Sequence, residues 1–588
     1  MKYQKTNEER SDLVIDSFRG MDRSAALCGG KGSFELRNLR LMPDGALARR
    51  PGLVPLVTFP STVRSAFCAT RGGREEWYAV AGNTVYHLAQ SQDGCTPLPI
   101  GELGTQTGET SFLCYDGALL MLDGEELYTL TPTEAKPTEA YVPLYGREWQ
   151  SGDVTTHVVY ERPNLLTRRL RLQYRMTASG KILPLEHLTP ETVDAIFIDG
   201  EPYRGNFSYS APAKMVAMGD EQKAGSLVEV YLTMAEDAPI RERVVRAKGM
   251  AAIDRAECPR VVFYGMPDEG GIWIGRLPDK QRSETMKQML PQTCMLYVTE
   301  GDRVTIGDGV HAVTGAVRHY DRSLVFTAQG TWMSRGEQNE DGTLRFIPVN
   351  TTLGCSRAGG AVVLGNRPVT VQGGRVLSWN SDTDERDECN ATPISTPIDM
   401  LLADRKGEVR AFADTEQGDA WFYTPGGTGR ILIYQSEQNA WTTYDGINPQ
   451  CLALLGGKVG VGMGRTLYLM DEKETADILV DDEHPDGVRV GISAEYQSAC
   501  GDFGASERIK RLCRANVVAT CDRGRLTLML QSASGRRMTV PMEGDSDEVS
   551  VLKARAPMGR FRFLRVGIAS DDDAPLRLHS IRLSARCS

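Results

Sequence analysis

Four stretches of this chain hold residue types that could bind a ligand or do chemistry. GGKGS (Gly29 to Ser33) has the glycines and lysine of a phosphate loop. That loop needs Lys followed directly by Ser or Thr, and here Gly32 follows Lys31, so a turn is expected. GVGMG (Gly460 to Gly464) has dinucleotide-loop spacing, but the following RTLYLMDE has a strand pattern. A pyrophosphate site needs a helix N-terminus there, so a hairpin is expected. LGCSRAG places Ser356 between glycines, yet Ala358 stands where a nucleophile elbow needs Gly. SDTDERDEC (Ser381 to Cys389) alternates carboxylates but lacks the central Gly and closing Glu of an EF-hand, and reads as a solvated loop.

The seven histidines are scattered. His311 and His319 are separated by a strand-like stretch and need not share a face. The 13 cysteines include no CxxC pair, which argues against zinc. Several, such as Cys114 in SFLCYDG and Cys513 in IKRLCRANVV, lie in apolar strand-like runs, so buried free thiols are expected. SQDGCT at 91–96 begins like a sialidase Asp-box and then lacks its glycine spacing and tryptophan. No catalytic, cofactor-binding or metal-ligating residue is therefore assigned, and the chain is expected not to be an enzyme.

The elements that would position any site are short strands joined by tight turns. REEWYAVAGNTVYHLAQ turns at Gly82–Asn83, and SFLCYDGALLMLDGEELYTLTP at Asp116–Gly117 and Asp123–Gly124. The scheme recurs at 312–336, 357–380, 411–446 and 451–472. Asn, Asp and Gly supply the positive φ of tight hairpins. Each unit closes on an aromatic: Tyr86, Tyr128, Trp332, Trp379, Trp441 or Tyr468. Such units cannot bury both faces alone, and radial stacking as blades solves the problem. The period is irregular, with no WD or kelch signature, and a multi-sheet β-sandwich is the rival. Residues 146–255 break the rhythm with longer polar links, and DDEHPDGVRVG (481–491) reads as a linker before about 100 well-alternating residues. Helical composition is confined to 279–290 and PTEAKPTEA.

The expected fold is thus all-β: a β-propeller with an inserted small β-rich domain and a C-terminal β-sandwich. Its parts are 1–145 (N-terminal arm and first blades), 146–255 (insert), 256–480 (remaining blades) and 481–588 (sandwich). The 588 residues are ample for such cores. A net charge of −10 argues against a protein that grips duplex DNA. The polar start, without an apolar core, and the lack of any long apolar run predict neither a secretory signal nor a membrane-spanning segment.

One segment is more specific. FRGMDRSAALCGGKGSFELRNLRLMPDGALARRPGL (Phe18 to Leu53) resembles the opening of bacteriophage tail and neck propeller proteins of the tail-nozzle or packaged-DNA-stabilising kind. Asn38, Gly45, Leu47, Arg50, Pro51 and Gly52 carry the match. GALLMLDGEELYTL, RHYDRSLVFTAQGTWMS, GDFGASERIKRL and GRFRFLRVGI are similar to later parts of such proteins. The resemblance implies a virion structural protein made in the host cytoplasm and placed in the tail or neck. It would form a ring, sixfold by resemblance, with adaptor, portal or other tail proteins as partners and double-stranded DNA passing through. A second reading is a phage adhesin that binds host surface polysaccharide in an aromatic groove, with Trp273, Trp332 and Trp421 as candidates. A third, a propeller hydrolase or lyase, would need converging carboxylates or an arginine cluster.

Overall fold

In a computed structural model, residues 9–587 are described except 24–31, 92–93, 116, 150–160, 186–187, 236–243, 254–259, 267–269, 276–295, 337–343, 381–389, 404, 406–408, 428, 522–523 and 545. The chain is nearly all β and propeller-like, and divides into two compact units. One unit holds Met1–Ile100, Phe326–Thr331 and Val349–Ser588, and the other holds Gly101–Val325 and Trp332–Pro348. No described helix is long and apolar enough to cross a membrane.

The first unit begins with five strands: β1 (Glu9–Ile15), β2 (Ser33–Arg37), β3 (Leu39–Leu41), β4 (Leu47–Arg49) and β5 (Gly52–Thr58). β5 pairs with Thr466–Asp471, more than 400 residues along the chain, and completes the four-stranded sheet of Cys451–Leu455, Lys458–Met463 and Thr466–Asp471. Further four-stranded sheets are Val63–Arg71 to Gly94–Glu102 and Ala361–Leu364 to Ala391–Pro393. The strands Arg410–Asp414, Asp419–Tyr423, Ile431–Gln435 and Ala440–Tyr444 form another blade-like group, which continues through β2 into a nine-stranded sheet. Tight reversals such as Gly365–Asn366, with both residues at positive φ, join the strands. The closing aromatics Tyr86, Trp379, Trp441 and Tyr468 are buried between sheets, as alternation requires of one face.

The C-terminal residues form two sheets over one core. Lys510–Cys521, Ser546–Arg555 and Arg577–Cys587 face Ala494–Ser498, Arg525–Ser532 and Leu564–Ser570 across Val517, Leu528, Val566, Ile581 and their neighbours. Here the expected boundaries shift. β1, β3 and β4 join the first of these sheets and β2 the second, so the N-terminal arm packs with the C-terminal strands rather than only with the first blades. The stretch read as a linker is a hairpin: Ala476–Leu479 pairs with Val488–Gly491, and the polar DDEHPDG residues form its tip.

The second unit contains the four-stranded sheets Ser111–Tyr115 to Ala135–Pro137, Gly249–Ile253 to Arg303–Thr305, and most of Val313–His319 to Ile347–Asn350. Between the first two, residues 144–234 build one five-stranded and one three-stranded sheet around Leu172, Tyr174, Leu183, Val216 and Val230. Gly249–Ile253, placed in the 146–255 insert by the sequence, pairs instead with Arg260–Tyr264 in a blade-like sheet. PTEAKPTEA is not helical. Its Ala135–Pro137 forms an edge strand, where the missing N–H of Pro137 is tolerated. The other helix-like stretch, 279–290, lies outside the described residues.

Candidate functional site

The residues that carry the resemblance converge on one buried polar cluster in the first unit. Asn38 takes positive φ (54°) between β2 and β3, a conformation asparagine tolerates better than most residues. Its Nδ2 donates to the Ser493 carbonyl at 2.7 Å. Its Oδ1 accepts from Arg50 Nε at 3.1 Å and from the Asp445 amide at 2.8 Å. The Arg50 guanidinium, 1% exposed, donates two parallel bonds to Asp477, at 2.8 and 2.7 Å. Asp477 Oδ1 also accepts the Leu53 amide at 3.0 Å, so one carboxylate ties β5 to the hairpin of Ala476–Leu479. Gly52 is dictated by space. A Cβ there would lie 2.1 Å from the Ala476 carbonyl oxygen. Gly45 (φ +80°) makes the turn between β3 and β4, and Leu47 is fully buried against the C-terminal core. Arg49 adds a second clamp, from Nη2 to Ser570 Oγ at 2.5 Å and to Asp572 at 3.1 Å.

Beside this cluster lies a cleft of about 480 Å³, lined among others by Arg40, Asp414, Trp421, Tyr444, Lys458 and Asp471. Arg40 forms an ion pair with buried Asp419. Burial pushes the Asp419 carboxyl up to about 6 against the pull of Arg40, and burial also raises Asp414. Asp414 and Asp419 face each other across a hairpin. Asp414 Oδ1 is nevertheless engaged by the Glu416 and Gln417 amides at 3.2 Å, which shapes its own turn. Lys458 is paired with Asp471 at 2.8 Å. A carboxyl titrating near 6 can exchange a proton near neutrality, but these side chains are spent on turns and ion pairs. General acid–base work needs a carboxyl presented to substrate.

The other candidates separate. Trp273 and Trp421 are each 2% exposed and belong to different cores, while Trp332 is half-buried over Gly307. They form no common groove. His319 is buried, whereas half-buried His311 bonds Asp308 at 2.6 Å. Among the described residues no group of three His, Cys, Asp or Glu could hold a metal. GVGMG lies in the hairpin of Lys458–Met463 and Thr466–Asp471, as its sequel implied. Ser356 Oγ accepts the Gly373 amide at 3.0 Å, a loop-closing role. Gly29–Lys31 and 381–389 lie outside the described residues. The thiols correct one expectation: Cys355, Cys451 and Cys521 are buried and outside any disulfide, but Cys114 and Cys513 are exposed. Cys513 occupies a register shift between Leu512 and Arg514, which turns it out of the core.

Sequence reasoning marked Asn38 and Arg50 but could not name Asp477, because 427 residues separate it from Arg50 and no local pattern sets it apart.

No protein-family model matches this chain, and no curated protein matches it. Among solved structures the chain is similar to one described as the crystal structure of the mitotic checkpoint complex, at 9% identity and a TM-score of 0.33. That match covers 74% of this chain and 96% of the other. A likeness at that level says nothing of function.

Proposed function

We propose that this chain is a non-enzymatic structural protein of a bacteriophage tail or neck, a propeller carrying an inserted β-rich domain and a C-terminal β-sandwich. It acts as a ring around the DNA exit channel, beside adaptor, portal or other tail proteins. One observation carries the reading: the residues responsible for the resemblance are engaged in architecture. Asn38, Arg50 and Gly52 lock the N-terminal strands to the hairpin that carries Asp477, and Leu47 anchors them in the C-terminal core. A motif used this way suits a body that must stay rigid under load. A buried bidentate ion pair resists rearrangement, because separating its charges in a low dielectric is costly. The net charge of −10 would keep passing DNA from adhering to a wall.

Cryo-electron microscopy of purified particles from the source of this sequence tests the proposal. Density for this chain around the tail axis supports it. Its absence from the particles, or a position away from the axis, refutes it. The adhesin reading gains nothing from Trp273 and Trp421, whose rings are buried.

A further inference from the structure

The outer face of the first C-terminal sheet carries charge in an order that costs energy in an isolated chain. Arg10, Arg586 and Arg511 stand side by side in one cross-strand row. The next row reads Asp12, Ser584, Arg514 and Arg555, and the third Val14, Arg582, Asn516 and Lys553. Like charges directly opposite each other in a sheet are destabilising. Arg582 is offset by an ion pair to Asp12 at 2.7 Å, while Arg511, Arg514, Lys553 and Arg555 make none among the described residues. Seven cations against Asp12 leave these rows at +6. Since the whole chain carries −10, the remainder carries −16. Beyond the third row the face turns aliphatic, with Val549 and Val551 exposed, before Asp547 and Glu548.

The same unit presents a matching element. The hairpin of Ala476–Leu479 and Val488–Gly491 has an acidic tip, Asp481, Asp482, Glu483 and Asp486, of which Asp481 holds His484 and Asp482 pairs with Arg465. Its second strand is an exposed edge with Val488 and Val490 open to solvent. Arg555 and Val551 lie four positions apart on the basic strand, about 13 Å at strand rise, and on the hairpin the turn residue Asp486 precedes Val488 and Val490 in the same order of charge and then valine.

We propose that the basic sheet face receives the acidic hairpin of a second copy of this chain, head to tail. Carboxylates of the tip meet the arginine rows, and Val488 and Val490 meet Val549 and Val551. Arginine, six of the seven cations, suits bidentate pairing with carboxylates and is enriched at protein interfaces. Exposed valines would gain nothing from a phosphate backbone, and the named rows contain no aromatic on which a base could stack. The contact is heterologous, so it propagates into a ring or an open chain. It stands independently of the phage reading.

The test uses the full chain in sedimentation velocity at 50 and 500 mM NaCl. Self-association at low salt, at least tenfold weaker at high salt, is expected. Two charge-swapped variants are each expected to stay monomeric at low salt: R511E/R514E/R555E, and E483K/D486K. The second spares Asp481, whose carboxylate holds the turn through the His484 amide at 2.7 Å, and Asp482, which pairs with Arg465. Mixing the two should restore association, because each then supplies the complement of the other. If a variant does not fold, wild-type alkylation decides. Cys513, beside Arg514 on this face, should label at least tenfold more slowly on association, while exposed Cys114 is unchanged. A wild-type chain that stays monomeric at low salt overturns the proposal, as does association indifferent to the charge swaps, or unchanged Cys513 labelling. Binding of a 30-base-pair DNA duplex by the basic face without self-association would overturn it in favour of nucleic acid.

Discussion

Replacing Asp477 with Asn keeps the shape of the side chain and its acceptor for the Leu53 amide, but removes the charge that Arg50 needs. Arg50 is then left 1% exposed with a full positive charge and no anion. Its remaining partners are neutral: Asn38 Oδ1 and the Pro51 carbonyl, at 3.1 and 3.0 Å. The Tyr444 ring, 5.9 Å from the guanidinium, offers a weak cation–π contact. Breaking one side of a buried pair costs about 3–5 kcal/mol, because the orphaned charge stays desolvated. The cost falls on the segment that Arg50 anchors, β3 to β5, before it reaches the whole chain. Hydrogen exchange read by mass spectrometry reports such local opening. At about 1.4 kcal/mol per factor of ten, the low end of that range predicts amides of Leu39–Thr58 and Ala476–Leu479 exchanging at least about 100-fold faster. Peptides from the core of residues 172–232 should not change. The double variant R50M/D477L removes both charges and refills the space with apolar atoms. It should recover most of the loss, since apolar replacement of a buried pair is often neutral. Unchanged exchange in D477N would refute the claim that this ion pair anchors the N-terminal strands. A double variant as labile as the single would refute the assignment of the cost to an orphaned charge.

Gly52→Ala should cost about 1–3 kcal/mol by overpacking, because the added methyl meets a backbone carbonyl that cannot step aside. A melting temperature equal to the parent's would contradict that geometry. Asp419 titrates near 6 when folded, from an ordinary value of 3.8, so the native state holds an extra proton between those values. Stability therefore falls as pH rises from about 4 to about 6 and stays lower above, by up to about 3 kcal/mol for this one group. Thermal melts of the parent and D419N, compared from pH 4 to 7, should diverge in that direction, and a difference independent of pH would show the raised carboxyl to be wrong. Burial pushes the Cys451 thiol up to about 12, so maleimide should modify Cys114 and Cys513 well before Cys451 under native conditions. Peptide mapping showing Cys451 labelled first would contradict its burial. Replacing residues 144–236 with a short Gly-Ser bridge should leave the remaining strands folded, since residues 172–232 supply their own core. A variant that retains no cooperative melting would show that the insert is not separable.

What could be read from the sequence divides along the range of the interactions. Hairpins were legible because their cause is local. Alternation and a turn dipeptide suffice to place Gly365–Asn366 or the strands flanking Gly464. Pairings across hundreds of residues leave no such mark. The docking of β5 beside Thr466–Asp471, and of β1 to β4 onto the C-terminal strands, is decided by which apolar faces remain open once the local hairpins have formed. That is why the sequence does not show where the arm within 1–145 docks, or that Gly249–Ile253, read as part of the 146–255 insert, pairs with Arg260–Tyr264. The linker reading of 481–491 failed for a related reason. Polar residues at a hairpin tip look the same in sequence as polar residues between domains, and only the register of Ala476 with Gly491 separates them. Cys513 was misplaced because a single register shift reverses the facing of one residue without disturbing the apolar pattern on either side.

The polar cluster lies between these cases. Asn38, Gly45 and Gly52 are marked in the sequence only by the resemblance, and the positive φ or crowding that restricts each is visible only in the structure. Arg50 was visible only as part of a resemblance, and Asp477 was not visible at all. The arginine rows extend the same logic. Arg511, Arg514, Arg582 and Arg586 can be counted in the sequence, but that Arg511 and Arg586, 75 positions apart, are neighbours in one row follows from the register of their two strands. Within the sheet Asp12 offsets Arg582, but Arg511, Arg514, Lys553 and Arg555 make no ion pair among the described residues. In the proposed contact relief comes from outside it, from the acidic tip and the exposed edge strand Val488–Gly491 of the hairpin, whose first strand is the one already held by Arg50 and the neighbouring core.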